Sequence, residues 1–194
     1  MLSTFRPALV VFGTLTLICG VLYPLAVTGI GKIAFPSEAS GSLVERNGKA
    51  IGSTLIGQSF SSPQYFWGRP SATGPMPNNA SGSSGANQGP TNAALADAVK
   101  GRVDALKAAD PSNAAAIPVD LVTASASGLD PEISVAAASY QAGRVAKLRN
   151  IPREQVVALV QANTAPQYLG FFGEARVNVL ALNLALDTQA APAR

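Results

Sequence analysis

The fold of this chain is decided first by residues 7–31, which read PALVVFGTLTLICGVLYPLAVTGIG. These 25 consecutive residues carry no charge, and Arg6 and Lys32 stand on either side of them. A helix needs about 20 apolar residues to cross the hydrocarbon layer, because lipid cannot satisfy an unpaired backbone N–H or C=O. The sequence therefore predicts one membrane anchor. It divides the chain into a short N-terminus (1–6), a transmembrane helix (7–33) and a soluble domain (34–194).

A secretory signal peptide is the alternative interpretation of this run. Signal peptides have apolar cores of only about 7–15 residues and end in a cleavage site of small residues. The run here is longer, and residues 29–32 provide only a weak cleavage site, so a retained anchor is favoured. A lipoprotein is excluded, because Ile18 precedes Cys19 where a small residue is needed. Cys19 is the only cysteine, so no intramolecular disulfide can form.

The anchor carries small residues at steps of three and four, namely Gly13, Thr16 and Gly20, followed by Pro24. Such a stripe lets helix backbones approach closely in lipid. Pro24 also leaves the carbonyl of Gly20 without its usual donor, which permits a kink. We expect these four residues to contact helices of a partner, although small residues are common in membrane spans anyway.

Composition argues against several classes of function. The charged fraction is 13%, and the net charge of +3 is too small and too spread out to predict nucleic-acid binding. The chain contains no histidine, the commonest general base and metal ligand. Because histidine is absent and the one cysteine lies in the anchor, Ser-His and Cys-His catalytic pairs are excluded. A phosphate loop is not indicated either, because no Gly-Lys pair is followed by Ser or Thr. We therefore predict no catalytic residues and no metal site; a serine–lysine dyad stays open.

The soluble part has the pattern of an α+β domain with a small β-hairpin or sheet and about four helices. Asn47-Gly48 between short apolar runs is typical of a hairpin, which we expect to continue through 55–58. Residues 117–123 read as a buried strand. Capping residues and apolar stripes place helix starts at Thr91 or Asn92, at Asp130 and at Asn150. The apolar spacing of residues 176–187 fits either a helix or a strand, and their leucine and alanine content favours a fourth helix.

Two neighbouring segments have open interpretations. The first is an aromatic cluster with an arginine and a proline, which reads equally well as an interface anchor or as the domain's own core. The second, residues 71–92, is either a flexible linker or an ordered loop, since 20 of its 22 residues are Ala, Ser, Thr, Gly, Pro or Asn. The partner-interface candidates here are Phe60, Tyr65, Phe66, Trp67, Arg69, Pro70 and Asn87.

Four motifs rich in small residues carry a family resemblance. They are GSTLIGQSF leading to FWGRPS (52–71), SGSSGANQGPTN (81–92), VDLVTASASGLDP (119–131) and LGFFGEARVNVL (169–180). Singly, they read as turns, a helix cap and a buried aromatic pair. Together with Tyr23-Pro24 in the anchor, their order and spacing resemble KdpC, the C subunit of the bacterial potassium-transporting P-type ATPase, over nearly the whole chain. Ser84 and Ala86 depart from the Gly-Gly-Ser-Asn that this family more often shows.

The resemblance implies a non-catalytic subunit of an ATP-driven, high-affinity potassium uptake pump. Its implied partners are a potassium-translocating, channel-like subunit and an ATP-hydrolysing P-type subunit. It implies support of assembly, and a chaperone role that raises the ATP affinity of the hydrolysing subunit. It also implies a cytoplasmic N-terminus at the bacterial inner membrane, with the domain outside the cytoplasm. A free-standing anchored ligand-binding protein, with Tyr65, Phe66 and Trp67 lining its pocket, is the alternative, and an anchored hydrolase is a third.

No tightly bound cofactor is expected, and ATP would act through the complex. The implied role in ATP affinity directs attention to Gln141 and Arg144, three residues apart on the second helix. The amides of Ser125, Ser127 and Gly128, at or near the start of that helix, could meet an anion. An ordinary solvated helix face is the alternative interpretation, because ATP is inside the cell and the domain is expected outside.

Overall fold

The computed structural model describes residues 2–189 of the chain. Two compact units follow one another, and the division falls after Ile51. The first unit contains the apolar helix, a single helical turn and most of the hairpin that follows it. The described part of the second unit contains four longer helices and a three-stranded sheet. One N-terminal apolar helix followed by a mixed α/β region confirms the predicted fold class.

The anchor is helical from Leu2 to Ala34, beyond both ends of the predicted 7–33 span. It comprises α1 (Leu2–Leu17), a π-helical turn (Ile18–Leu22) and α2 (Tyr23–Ala34). Within it, the 31-residue helix Thr4–Ala34 contains an 18-residue window with a mean hydropathy of 2.1, and the helix is long and apolar enough to cross a membrane. The division into 1–6, 7–33 and 34–194 stays a prediction.

The π turn changes the directions in which the small residues of the anchor point around the helix axis. Tyr23 donates its N–H to the carbonyl of Ile18, five residues back, where an α-helix would pair residues four apart. The wider turn takes up one extra residue, so it rotates Pro24 by about 100° from its position on an uninterrupted α-helix. Pro24 therefore lies about 80° from Gly13 around the helix but within about 20° of Thr16.

The predicted hairpin is present, as β1 (Leu43–Arg46) and β2 (Lys49–Ser53), after a single helical turn, α3 (Pro36–Ala39). Asn47 and Gly48 have φ values of 55° and 73°, the positive values that a tight hairpin turn requires. The expected continuation through 55–58 is wrong. The strand ends at Ser53, whose hydroxyl oxygen accepts the N–H of Leu55 at 3.1 Å and starts a turn.

The described part of the second unit has four α-helices and one sheet. The helices are α4 (Ala93–Ala109), α5 (Val135–Arg149), α6 (Arg153–Ala162) and α7 (Val179–Gln189), and the strands are β3 (Glu132–Ser134), β4 (Thr164–Ala165) and β5 (Arg176–Asn178). The three antiparallel strands lie in the order β3-β5-β4, with Ile133 opposite Val177 and Ala165 opposite Arg176.

Helix starts follow capping chemistry. The Asn92 side chain accepts the N–H of Ala94 at 2.9 Å and caps α4 as predicted. The second helix, however, does not start at Asp130. Residues 132–134 form β3, and the hydroxyl oxygen of Ser134 caps α5 by accepting the N–H of Ala137 at 3.0 Å.

Two other expectations are wrong in part. Residues 117–123 hold a 3-10 turn, Val119–Leu121, in place of a buried strand, and Val119 is 69% exposed. The carbonyl of Val119 accepts the N–H of Thr123 at 2.9 Å, which curls the chain. At the C-terminal end, residues 176–178 pair as β5 before α7 begins, because Val177 is fully buried between two strands.

The hydrophobic core lies between the sheet and helices α5, α6 and α7, and Leu106 of α4 and Leu121 of the 3-10 turn join it. It is built largely from small aliphatic side chains, so the elements approach closely. Phe66, from a segment without regular secondary structure, is its one aromatic member among the fully buried side chains of the described residues. The core also contains Ile133, Val145, Val156, Val177, Leu182 and Leu186.

Candidate functional site

The candidate site of the second unit is built around residues 60–70, called here the aromatic segment. It has no regular secondary structure, yet Phe66 is fully buried and Trp67 is half-buried. Its backbone therefore needs hydrogen-bond partners from elsewhere in the protein, since buried N–H and C=O groups are costly when left unpaired. Side chains of α5 and α7 supply them.

Two buried amides pair with two consecutive backbone units of the aromatic segment. Asn183 accepts the N–H of Phe66 at 2.9 Å and donates to its carbonyl at 3.0 Å. Gln141 accepts the N–H of Trp67 at 2.9 Å and donates to its carbonyl at 3.1 Å. The amides thus reproduce, with side chains, the pairing that a neighbouring strand would offer.

Arg144 completes this arrangement, and we call Gln141, Arg144 and Asn183 the amide clamp. The guanidinium donates to the Gln141 oxygen at 2.7 Å, to the carbonyl of Tyr65 at 3.2 Å and to the carbonyl of Pro63. It also lies 4.5 Å from the centre of the Trp67 ring. Burial lowers the pKa of Arg144 to about 10, partly opposed by the negative potential of Asp110.

A second arginine holds the outer part of the aromatic segment. Arg149 donates to the carbonyl of Gln64 at 2.8 Å and forms an ion pair with Asp187 at 2.9 Å. The Asp187 carboxylate also accepts the Tyr65 hydroxyl at 3.1 Å, and Arg149 lies 4.5 Å from the Tyr65 ring centre. The segment is thereby fixed along most of its length by α5 and α7.

These contacts bear on the two interpretations of the aromatic cluster. Phe66 belongs to the protein's own core. Phe60, Trp67, Arg69 and Pro70 line a groove of about 500 Å³ on the other side of the segment. One cluster therefore contributes to both the core and the surface, and its role as an interface stays a prediction.

The candidate nucleotide residues fall into two groups that no hydrogen bond of the described residues joins. Gln141 and Arg144 are 1% and 4% exposed, and their polar atoms are engaged in the amide clamp. The expectation of a solvated helix face is therefore wrong for this pair, because the aromatic segment covers it. Direct nucleotide contact by these residues stays a prediction.

The other group lies in the loop 124–129, six residues before α5 begins, and not at its N-terminus. The N–H of Ser125 donates to the carbonyl of Pro70 at 3.1 Å, and the Gly128 carbonyl accepts the Ser71 hydroxyl at 2.6 Å. The exposed Ser127 offers its carbonyl to the N–H of Ser84 at 2.9 Å. This loop is built against residues 70–84.

The same contacts decide between a linker and an ordered loop for the first half of 71–92. The hydroxyl oxygen of Ser71 accepts the N–H of Asn78 at 2.9 Å, and Thr73 is buried and donates to the carbonyl of Met76 at 2.8 Å. Residues 71–84 are thus tied to the loop 124–129, and a flexible linker is the wrong description of them. Asn87 is exposed, with a φ of 47°.

An exposed aromatic hairpin was missed by sequence reasoning. Tyr168 and Phe172 exchange backbone hydrogen bonds of 2.9 Å, and Leu169 and Gly170 form the turn between them with positive φ values. Tyr168 is 70% exposed and Phe171 is 68% exposed, so the expected buried aromatic pair is wrong. The turn thus exposes four large apolar side chains. We call these four residues the hairpin tip: Tyr168, Leu169, Phe171 and Phe172.

The anchor candidates, Gly13, Thr16, Gly20 and Pro24, are all exposed on the helix surface. An added Cβ at Gly13 or Gly20 would meet nothing within 4 Å. The Cys19 thiol is also exposed. Within residues 2–189, no group of three or more acidic, histidine or cysteine side chains is placed to hold a metal ion.

Comparison with known proteins adds a family to this geometry. A family model described as "KdpC: K+-transporting ATPase, c chain" matches residues 5–188. A "Potassium-transporting ATPase KdpC subunit" of Janthinobacterium sp. (strain Marseille) is 73% identical over 187 residues, 96% of this chain and 99% of the relative. Relatives of the same name in Herminiimonas arsenicoxydans and Methylococcus capsulatus are 70% and 60% identical, each over 96% of this chain and 98% of their own length.

Proposed function

Because the chain belongs to the KdpC family and is a subunit of a potassium-transporting ATPase, we propose that it is a non-catalytic subunit that supports assembly of an ATP-driven potassium uptake pump. Its partners would be a potassium-translocating, channel-like subunit and an ATP-hydrolysing P-type subunit. It would cross the bacterial inner membrane once, with its N-terminus in the cytoplasm and its soluble unit outside.

The hairpin tip is the observation that carries this proposal. Four large apolar side chains project together from a turn, with most of their surface in contact with solvent. Soluble surfaces rarely expose such a group without a binding role, and aromatic residues are enriched in protein interfaces. No charged residue interrupts 155–173, so burial of the tip against a partner would desolvate no charge there.

An effect on ATP affinity would be transmitted through the partner subunits. The two candidate nucleotide side chains on α5 already bond to the aromatic segment, which supports an indirect route over a direct contact. On this proposal, complexes containing the chain have a lower KM for ATP than complexes formed without it. We expect the purified chain alone to show no saturable binding at millimolar ATP.

A substitution in the hairpin tip tests the assembly role. Phe171→Ser removes an exposed ring, so the free energy of unfolding should change by less than about 0.5 kcal/mol. Co-purification with the other subunits and potassium-stimulated ATP hydrolysis should both fall. Val119→Ser is the matched control, since Val119 is as exposed but lies on the 3-10 turn. Full assembly and activity of Phe171→Ser would refute the tip as an interface.

Gentle detergent extraction tests the wider proposal. A pump subunit leaves the membrane in a complex, whereas a free-standing ligand-binding protein leaves as a monomer. A lone monomer at native expression would count against the assembly role, whatever the result for the tip.

A further inference from the structure

The groove beside the aromatic segment has a floor of apolar side chains. It lies between that segment and α4, near the 3-10 turn, and has a volume of about 500 Å³. Trp67 and Pro70 line the groove, and the largely buried side chains of Leu106 and Leu121 form its floor. A concave apolar surface with a few polar groups is the usual form of a binding site.

The charges at this groove are all of one sign. Arg69 and Arg102 line it, and none of the lining residues from the described part of the chain is Asp or Glu. Arg102 donates to the carbonyl of Val122 at 2.7 Å and forms no ion pair within the described residues. Burial without an anionic partner lowers its pKa. An incoming carboxylate would therefore find an unneutralised guanidinium.

Arg69 is paired only in part. Its Nη1 atom donates to Asp130 at 3.1 Å and its Nη2 atom to the carbonyl of Ala124 at 3.4 Å. Its Nε atom is buried and has no hydrogen-bond acceptor among residues 2–189. Such an unpaired donor is uncommon in a folded protein, and an acceptor from a bound molecule would satisfy it.

We propose that this groove binds an extended segment of a partner subunit, which places a carboxylate at Arg102 and an apolar side chain on Trp67 and Leu106. The inference rests on the proposed role in a complex and names the chemistry of one contact. Ser61 and Asn78 line the same groove and can bond to the backbone of an extended chain. Arginine and tryptophan are the residues that contribute most to binding at protein interfaces.

A photo-crosslinking residue at Ala105 tests the proposal in the assembled complex. Ala105 is exposed and lines the groove, whereas Lys100 is exposed on the far side of α4 and is the matched control. We expect Ala105, and not Lys100, to crosslink to a partner subunit, at a peptide containing Asp or Glu beside an apolar residue. A crosslink to lipid, no crosslink, or equal crosslinking from both positions would overturn the proposal.

Charge variants provide a second readout. Arg102→Glu should weaken retention of the chain in the complex by roughly tenfold or more, as expected when an interface charge pair is lost, and Arg102→Lys should restore most of it. Equal retention of Arg102→Glu and the unaltered chain would overturn the proposal. Should Arg102→Glu lose its fold, seen as a shift of Trp67 fluorescence, the crosslink decides.

The same preparations separate this inference from the proposed function. If the chain co-purifies with the pump but the Ala105 probe captures no partner, the groove inference fails and the assembly role stands. If the chain does not co-purify with the pump at all, the assembly role is refuted, and the groove inference, which rests on it, is refuted as well.

Discussion

Replacement of Gln141 by alanine tests the amide clamp most directly. The side chain makes two hydrogen bonds to the backbone of Trp67, at 2.9 and 3.1 Å, and accepts one from Arg144 at 2.7 Å. Without it, the N–H and C=O of a half-buried peptide unit lose their partners. Each such loss costs about 1–2 kcal/mol, and the vacated space adds about 1 kcal/mol, so we expect about 3–5 kcal/mol in total.

The assay uses urea unfolding of the full chain in detergent, followed by tryptophan fluorescence. Trp67 is the only tryptophan, and it lies at the clamp itself. With a slope of about 2 kcal/mol per molar, the midpoint of Gln141→Ala should fall by about 1.5–2.5 M. Gln141→Met fills the space without the hydrogen bonds and should recover only the smaller, packing part of the loss.

Gln155→Ala is the control, because Gln155 is exposed on α6. The reasoning would be refuted if Gln141→Ala and Gln155→Ala had midpoints within about 0.3 M of each other. If Gln141→Ala is destabilised in this way, a change in its ATP titration would reflect a changed fold and would not demonstrate a nucleotide contact. Ser127→Ala, in the exposed part of the loop 124–129, is the better probe of a direct contact.

Three further substitutions give separate tests. Gly128→Ala should destabilise the second unit by about 2 kcal/mol or more, seen as a lower thermal midpoint. Its φ is +69°, and the new Cβ would lie 2.6 Å from the Ser84 carbonyl oxygen. Gly89→Ala is the control, because its new Cβ would meet nothing within 4 Å, and it should change the thermal midpoint little. Asn92→Ala should cost about 1 kcal/mol through loss of the α4 cap, read as a lower urea midpoint, and Asn92→Asp should retain stability. Gly20→Leu should reduce the yield of the assembled complex on size-exclusion chromatography without lowering the expression of the chain, and an unchanged yield would exclude close helix packing at this position.

Local signals in the sequence predicted local structure. Asn47-Gly48 specifies its turn through positive φ values, and Asn92 caps its helix through one side-chain hydrogen bond. Strands β3 and β5 could not be found in this way. They contain three residues each and pair across more than 40 residues of chain, so neither carries a readable alternation. Pairing with β5 also explains why α5 begins later than its predicted start.

The candidate site was less predictable than the fold, because its polar residues face inward. In the sequence, Gln141 and Arg144 have the spacing typical of a solvated helix face. In the structure they are buried because the aromatic segment packs over them. The alanines at 137, 138, 142 and 146 are a signal in retrospect, since all four are buried and a helix so rich in buried small residues is packed on a wide face. For the hairpin tip, the sequence signal is the pair of glycines, Gly170 and Gly173. They place the aromatic residues in a short turn, which the rest of the domain does not bury.

The π turn in the anchor separates two properties that an ordinary helix links, namely how many residues a span contains and which way its two ends face. Deletion of one residue within Ile18–Leu22 would let an α-helical turn replace the wider one, and both flanks would keep their present orientation. The same deletion elsewhere in the anchor would turn one flank against the other by about 100°. The anchor can therefore lose a residue at this turn without presenting new faces to its neighbours in the membrane.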